Sequence, residues 1–184
     1  MKYIFLFICL LLPYVAVADD VAWQVNDRDS FIKFSVAIEG SPVEGEFTKF
    51  SADILFDRKN LDQARVNLTI DLDHMEASYS DVAENLKKKD WFDIARFPKA
   101  RFVSRDFKHL EGDDYQVRGD LTLRDVTRSE ILYFTLVEYG GQAAQIKGQM
   151  TVNRLDYGVG QGGWRDISTV AGQVFLEVFV KADK

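Results

Sequence analysis

The sequence RVNLTIDLD, residues 65–73, alternates strictly between polar and apolar side chains. Its apolar members are Val66, Leu68, Ile70 and Leu72, and the residues between them are charged or polar. Because successive side chains of a β-strand point to opposite faces, this pattern predicts a strand with one buried and one solvated face. Such a strand needs neighbours that share its apolar face.

The same two-residue period recurs along most of the chain. A short strand is predicted at residues 22–26, and residues 43–57 are interpreted as one long strand with a bend or bulge near Phe50. The other long strands are predicted at residues 32–39, 65–73, 100–107, 115–124, 130–138, 146–153 and 174–181. About eight antiparallel strands with one apolar face must close or stack to hide that face. We therefore predict an all-β protein that forms an eight-stranded antiparallel barrel, with a two-sheet sandwich as the alternative.

One stretch, residues 78–98, departs from this period. Val82 and Leu86 are four residues apart, with the polar residues Asp81, Glu84, Asn85 and Lys87 between and beside them. This is the spacing of a short helix with one apolar stripe. Ser80 is placed to act as its N-cap, and Lys87–Lys89 lie where the helix dipole favours cations. The sequence therefore predicts one short helix in an otherwise β-rich chain.

A dense apolar run follows this helix directly and stops at Pro98. Its large members are Trp91, Phe92, Ile94 and Phe97. Together with the helix, the run has the composition of a lid over an apolar interior. The alternative is that the same segment simply plugs the core of the barrel.

The N-terminus has the pattern of a signal peptide. Lys2 supplies positive charge, residues 3–12 form an uninterrupted apolar run, and Ala16-Val17-Ala18 is a small-x-small cleavage pattern. We expect cleavage after Ala18 and export to the periplasm. The mature chain, residues 19–184, has the length of a single domain.

Removing the signal peptide also removes the one cysteine, Cys9. The mature chain then has no disulfide, no thiolate for catalysis and no sulfur ligand for a metal. Its net charge changes from −6 to −7, because Lys2 is the only charged residue removed. An acidic chain whose only basic cluster is Lys87–Lys89 is a poor candidate for nucleic-acid binding.

Two short motifs suggest chemistry that their context does not favour. Residues 158–163 match G-x-G-x-x-G, but a β-like run follows instead of the helix that a dinucleotide site requires, so these glycines are interpreted as a loop. Residues 71–74 carry two aspartates and a histidine, and the only other histidine, His109, lies in a different loop. Because a transition-metal site needs converging ligands, we predict no metal site here. We also assign no catalytic residues.

The remaining feature is the amount of apolar material. The mature chain keeps twelve of the fourteen phenylalanines, since Phe5 and Phe7 lie in the signal peptide, and all three tryptophans. These side chains either pack against one another or surround a cavity that the lid closes. The candidate ligand-binding residues are Phe34, Val36, Phe47, Phe56, Leu68, Ile70, Phe102, Leu121, Leu123, Met150 and Val152 on the strands, with Val82, Leu86, Trp91, Phe92 and Phe97 in the lid.

Four stretches carry a resemblance to a known family. They are residues 32–47 with IKFSV and GEF, residues 86–98 with DWFD and FP, residues 119–127 with GDLTL and VT, and residues 153–160 with NRLDYGVG. In this order they resemble the YceI-like family of exported, lipocalin-like polyisoprenoid-binding proteins. The resemblance implies an eight-stranded barrel that holds a long isoprenoid, such as a quinone tail, and it implies that residues 158–163 are a family loop.

The chain departs from the family pattern at two places. Arg124-Asp125 stands where many members have His-Gly, and Ile38 stands where a histidine often ends the second strand. The resemblance therefore assigns no contact to a ligand head group at these positions.

Together the residues and the resemblance predict a periplasmic carrier for an isoprenoid lipid, with no enzymatic activity and no cofactor other than a bound lipid or quinone. We expect the lipid to be exchanged by transient contact with the membrane or with a respiratory membrane protein. Two alternatives stay open. One is an outer-membrane β-barrel, whose apolar face would meet lipid, and the other is a hydrolase that uses a pair of the 29 acidic residues.

Overall fold

The computed structural model describes residues 22–184, so the predicted signal peptide, residues 1–18, lies outside the described residues. Within the described part there are eleven strands, one α-helix and three short 3-10 helices. The strands are β1 (Ala22–Val25), β2 (Phe31–Ile38), β3 (Ser41–Phe47), β4 (Phe50–Leu55), β5 (Arg65–Asp71), β6 (Met75–Ala77), β7 (Lys99–His109), β8 (Asp114–Leu123), β9 (Val126–Gly140), β10 (Ala143–Asn153) and β11 (Gln173–Asp183). The helix α1 is Ser80–Leu86, and the 3-10 helices are Leu61–Gln63, Arg154–Tyr157 and Gly162–Arg165.

Eight strands form a closed antiparallel ring in the order β1-β4-β5-β7-β8-β9-β10-β11. The ring closes because β1 pairs with β11, with Val25 opposite Ala182. The remaining strands extend this wall: β2 pairs with β11 and with β3, and β3 pairs with β6. The predicted eight-stranded barrel is confirmed, and the alternative of two stacked sheets is wrong.

The bend predicted near Phe50 is a short break between β3 and β4. Thr48 and Lys49 occupy the break, and both are hydrogen-bonded to the neighbouring part of the wall. The Thr48 N–H donates to the carbonyl of His74 at 3.0 Å, and the Asp71 N–H donates to the carbonyl of Lys49 at 3.0 Å. The connection between β5 and β6 therefore keeps the wall continuous where the strand is interrupted.

Strand β7 shows how the two faces of the wall differ. Ala100 and Phe102 are buried inside, whereas Lys99, Arg101 and Arg105 are exposed outside. The same alternation of apolar inside and polar outside continues on β10. The apolar faces of the strands therefore meet in the interior of the barrel, as the two-residue period predicts.

The chain leaves the wall between β6 and β7 to form the lid segment, residues 78–98. Ser80 is not the N-cap of α1, because the cap is Tyr79, whose side chain accepts no capping hydrogen bond. Pairing with β3 keeps the chain extended through Ser78, whose N–H donates to the carbonyl of Glu44 at 2.8 Å, so helical geometry begins only at Ser80.

Within residues 22–184, no helix is long and apolar enough to cross a membrane.

Two glycines on the inner face of the wall make room for aromatic rings. Gly45 on β3 lies opposite Phe34 on β2, and the Phe34 ring occupies the space that a side chain at Gly45 would fill. The Phe102 ring on β7 takes the equivalent space at Gly119 on β8. Because these rings lie against the wall, they leave the centre of the barrel open.

Candidate ligand-binding cavity

The barrel interior contains a cavity of about 420 Å³ with an almost entirely apolar lining. This volume is within the range of about 300 to 1,000 Å³ that is typical of small-molecule sites. At one end the lining includes exposed residues, among them Asp81 on α1 and Trp164, so the cavity opens between the lid segment and the loop after β10. The interior is therefore hollow and accessible.

The structure places nearly all the sequence-predicted site residues around this cavity. Phe34, Val36, Phe47, Phe56, Leu68, Ile70, Phe102, Leu121, Leu123, Met150 and Val152 line its walls, and Val82, Leu86, Trp91 and Phe92 line it from the lid segment. Their placement agrees with the prediction. That they bind a ligand remains a prediction.

Phe97 is the exception, since it is not among the lining residues. The guanidinium groups of Arg96 and Arg124 lie over its ring, at 4.9 and 5.7 Å from the ring centre. The chain turns at Asp93, which has a positive φ of 52°, and the Phe97 N–H donates back to the Asp93 carbonyl at 2.9 Å. After this turn the Phe97 ring packs with the two arginines and does not reach the cavity.

Further lining residues were not predicted from the sequence. Strands β9 and β11 contribute Leu132, Phe134, Leu136, Val174, Leu176, Val178 and Val180. The alternation of residues 174–181 contains the signal for the four members on β11. No local pattern indicated the polar or loop-borne members, which are Asp81, Asn85, Arg154, Val159, Trp164 and Val170.

The lid segment is held in place by main-chain hydrogen bonds to the loop after β10. The N–H groups of Gly160 and Gln161 both donate to the carbonyl of Asp90, at 2.8 and 2.7 Å. The Trp91 ring, which is buried, lies 5.5 Å from the ring of Trp164. The two segments therefore form one continuous cover at this end of the cavity.

Arg124, in the turn after β8, joins three parts of this cover. Its Nη1 donates to the carbonyls of Lys89 at 3.1 Å, Trp91 at 2.6 Å and Gly158 at 2.9 Å. Arg124 itself has a positive φ of 55° in the turn between β8 and β9. The Arg124 side chain therefore connects the lid segment to the loop after β10 through main-chain carbonyls.

Arg154 organises the loop from the inside. Only 3% of its surface is exposed, and it lies 5.5 Å from the centre of the Trp91 ring. Its guanidinium makes five hydrogen bonds to main-chain carbonyls, those of Ala171 at 2.9 Å, Val159 at 3.0 Å, Gly160 at 3.4 Å, Trp164 at 2.7 Å and Val170 at 2.7 Å. Burial lowers the pKa of this guanidinium from its ordinary value. One side chain therefore fixes the path of residues 159–171.

Tyr157 anchors the start of the same loop to β9. It is fully buried, and its hydroxyl donates to Oε1 of Glu130 at 2.6 Å. Burial, followed by the hydrogen bond to the Glu130 carboxylate, raises the pKa of Tyr157 well above its usual range. The phenol therefore stays protonated and keeps donating.

The glycine motif lies in this loop, as the sequence predicts. Gly158 ends the 3-10 helix Arg154–Tyr157 with a φ of 67°, and Gly162 begins the next 3-10 helix with a φ of 62°. The segment continues into the antiparallel strand β11. It therefore lacks the parallel strand and helix of a dinucleotide site.

The opposite end of the cavity is closed by aromatic side chains. We call Trp23, Phe56, Phe107, Tyr115, Phe134 and Tyr139 the aromatic floor. All except Tyr115 line the cavity, and Tyr115 stacks on Phe134 with ring centres 5.5 Å apart. The cavity is therefore a blind pocket with its opening at the lid.

Acidic and histidine side chains do not gather at the cavity. Within residues 22–184 there is no group of three or more His, Cys, Asp or Glu side chains placed to hold a metal ion. Nδ1 of His74 lies 3.3 Å from Oδ1 of Asp71, and the side chain of His74 is about half exposed. This motif is solvated surface, as its position on the polar face predicts.

Comparison with known proteins gives several matches. The sequence model of the YceI-like domain matches residues 23–182. The chain is 32% identical to a UPF0312 protein of Photorhabdus laumondii over 126 residues, which are 68% of this chain and 65% of that protein. It is 29% identical to the protein YceI of Escherichia coli over 150 residues, which are 78% of each.

Solved structures share the fold. The crystal structure of BcnA from Burkholderia cenocepacia matches with a TM-score of 0.82 and 28% identity, covering 86% of this chain and 99% of that one. A polyisoprenoid binding domain from Saccharophagus degradans, implicated in plant cell wall breakdown, matches with a TM-score of 0.69 and 14% identity, covering 88% and 98%. The family match over nearly all the described residues confirms the resemblance read from the sequence: the chain belongs to the YceI-like domain family.

Proposed function

We propose that this chain is a periplasmic binding or carrier protein for a long-chain isoprenoid lipid, such as a polyisoprenoid or the tail of a quinone. The observation that carries the proposal is the blind apolar cavity, which is open at the lid and closed at the aromatic floor. A pocket of this shape suits a narrow hydrocarbon chain that enters from one end. The polyisoprenoid binding domain of Saccharophagus degradans, which has a similar fold, supports the same ligand class.

The energetics of burial favour a tail-directed interaction. Each methylene transferred from water to an apolar site contributes about 0.8 kcal/mol, so two or three isoprene units contribute roughly 8 to 12 kcal/mol. Association and ordering cost about 4 to 15 kcal/mol. Affinity therefore depends on the length of tail that the cavity buries, and the few polar lining groups discriminate weakly among head groups.

The outward-facing residues argue against the outer-membrane alternative. Lys99, Arg101 and Arg105 on β7 and Lys147 on β10 are exposed on the outside of the wall. A membrane barrel carries apolar residues in this band, and charges there are strongly unfavourable. The apolar face of this barrel is turned inward instead.

The lining of the cavity gives no support to the hydrolase alternative. A glycosidase of the common kind uses two carboxylates that flank the scissile bond. Among the described lining residues Asp81 is the single carboxylate, and it lies at the opening. We propose binding without catalysis for this reason.

The test is native mass spectrometry of the protein released from its own cells. The expected result is a lipid-sized adduct that exchanges with added quinones, with binding that strengthens as the isoprenoid tail lengthens. Absence of an adduct, together with no tail-dependent binding of added quinones, would contradict the proposal. If the adduct is a phospholipid with straight acyl chains, the ligand class is a different lipid and the isoprenoid proposal is wrong.

Export is the second half of the proposal. The motivating feature is the signal-peptide pattern of residues 1–18, and transient contact with the membrane or with a respiratory membrane protein would supply the lipid. Sequencing the N-terminus of the mature protein should give Asp19 as the first residue, and osmotic shock without detergent should release the single domain 19–184. A mature protein that retains Met1 and stays in the cytoplasm would exclude a periplasmic carrier.

Replacing Trp91 with alanine tests the role of the lid. The indole lines the cavity and contacts Trp164, whereas the hydrogen bond from Arg124 goes to the main-chain carbonyl of residue 91 and survives the substitution. We expect ligand release to become about tenfold faster, which corresponds to about 1.4 kcal/mol of lost contact. Stopped-flow transfer of a quinone to acceptor vesicles measures the rate.

The control for this variant is Tyr133→Ala. Tyr133 is 46% exposed on β9 and is not among the lining residues, so its loss should leave the release rate unchanged. Equal release rates for Trp91→Ala and the parent protein would remove Trp91 from the site.

A further inference from the structure

Phe56 lies at the centre of the aromatic floor. Its ring contacts four others, with ring centres at 5.8 Å for Phe107, 5.7 Å for Tyr115, 6.0 Å for Phe134 and 5.9 Å for Tyr139. Only 6% of Phe56 is exposed to solvent, and the ring also lines the cavity. It is held on several sides, because edge-on and tilted aromatic contacts favour particular ring positions. The floor is therefore a packed structure that a ligand tail does not displace easily.

Two of the floor residues, Trp23 and Tyr139, direct their polar groups at the main chain. The indole Nε1 of Trp23 donates to the carbonyl of Phe56 at 2.9 Å. The hydroxyl of Tyr139 approaches the same carbonyl at 3.5 Å. With these groups engaged, the floor presents carbon to the cavity. A hydrocarbon end suits this surface, whereas a polar head group placed here would leave its hydrogen bonds unmade.

The other end of the cavity has the opposite character. Asp81 and Asn85 are one helical turn apart on α1, and both line the opening. Asp81 is exposed, so a polar group placed beside it stays in contact with water. An amphipathic lipid therefore fits in one direction, with its tail towards Phe56 and its head group at the lid.

We infer that the aromatic floor, and Phe56 in particular, sets the longest isoprenoid tail that the cavity accepts. This inference rests on the proposed function and deepens it. Binding strengthens with each added unit while the tail end is still short of Phe56. Once the tail reaches the floor, further units remain outside the opening in water and add nothing. Phe56 is a specificity-determining residue for tail length.

The test compares quinones that share one head group and differ in the number of isoprene units. Dissociation constants are measured by quenching of tryptophan fluorescence, since Trp91 and Trp164 line the cavity. In the parent protein, affinity should rise with tail length and then level off. In Phe56→Ala the plateau should move to longer tails. For a tail one unit longer than the parent protein's plateau length, the affinity relative to the plateau-length tail should increase about tenfold, because additional methylenes become buried.

Phe175→Ala is the matched control. Phe175 is 56% exposed on the outside of β11 and is not a lining residue, so this variant makes the same chemical change without altering the cavity. Its plateau should coincide with that of the parent protein. If Phe56→Ala folds and its plateau is also unchanged, the floor does not set tail length, although the proposed function stands. If the parent protein binds no tail of any length, the proposed function itself fails.

A second measurement uses the parent protein and does not depend on the folding of a variant. A quinone whose tail carries a photoreactive diazirine at its far end is bound, irradiated and located by peptide mass spectrometry. Labelling should concentrate on the floor, at Phe56, Phe107 and Phe134. Labelling at Trp91, Phe92 or α1 would show that the tail end lies at the lid, and this result would overturn the inference.

Discussion

Replacing Arg154 with methionine is expected to lower the free energy of unfolding by about 4 kcal/mol, because several buried main-chain carbonyls lose their hydrogen-bond donor. Methionine fills a similar volume but donates nothing. The carbonyls that accept from Arg154 come from residues 159–171, so the loop must open to water or keep them unsatisfied. Urea denaturation followed by tryptophan fluorescence measures the loss.

Arg154→Lys should recover little of this stability. Lysine carries its three donors on one nitrogen, whereas the carbonyls around Arg154 accept hydrogen bonds from three separate nitrogens of the planar guanidinium group. Arg128→Met is the control, because Arg128 is exposed and makes a single hydrogen bond to the carbonyl of Asp156 at 2.9 Å. We expect that change to cost less than about 1 kcal/mol. Equal losses for Arg154→Met and Arg128→Met would contradict the assigned role of Arg154.

The second large effect is expected for Gly119→Val, which should cost about 3 kcal/mol or more. A side chain at this position would overlap the Phe102 ring, and its Cβ would lie 2.7 Å from the main-chain carbonyl oxygen of Val103. A main-chain atom cannot rotate away as a side-chain tip can, so β7 and β8 must separate. The Phe102 ring would also be pushed into the cavity, and lipid binding should weaken with stability.

Gly140→Val separates this steric effect from the loss of a flexible glycine. Gly140 ends β9, and a Cβ there would meet no atom within 4 Å. The free energy of unfolding should change by less than about 0.5 kcal/mol, as for other surface substitutions. A Gly119→Val variant as stable as Gly140→Val would show that the wall tolerates the added side chain, and the explanation for the open centre would then fail.

The walls of the cavity could be predicted from the sequence because strand geometry translates directly into direction. Once Leu68 and Ile70 are placed on a strand, the two-residue period decides that they share a face, and closure of the sheet turns that face inward. Val82 and Leu86 follow from the helical period in the same way. The residues predicted best are those whose direction depends only on their own element.

The remaining site residues depend on contacts between distant segments. The sequence predicts that Phe97 lines the cavity, but after the turn at Asp93 its ring lies beside the guanidinium groups of Arg96 and Arg124. The local sequence around Arg154 predicts an exposed side chain. It is buried because residues 159–171, further along the chain, fold around it and accept its hydrogen bonds. The floor likewise brings Phe56 to Tyr139 across 83 residues. Contacts of this kind are determined by tertiary packing, so a local sequence pattern does not predict them.

The pairing of β1 with β11 has a consequence for biosynthesis. The ring is closed by β1 and β11, the first and last strands within residues 22–184, with Gln24 opposite Asp183 and Val25 opposite Ala182. The barrel therefore cannot close until β11 is available to pair with β1, and contacts of such large sequence separation form slowly. Removing residues 181–184 should break the pairing between β1 and β11, because Lys181, Ala182 and Asp183 supply it. The opening left in the wall would expose apolar interior side chains to chaperones and proteases.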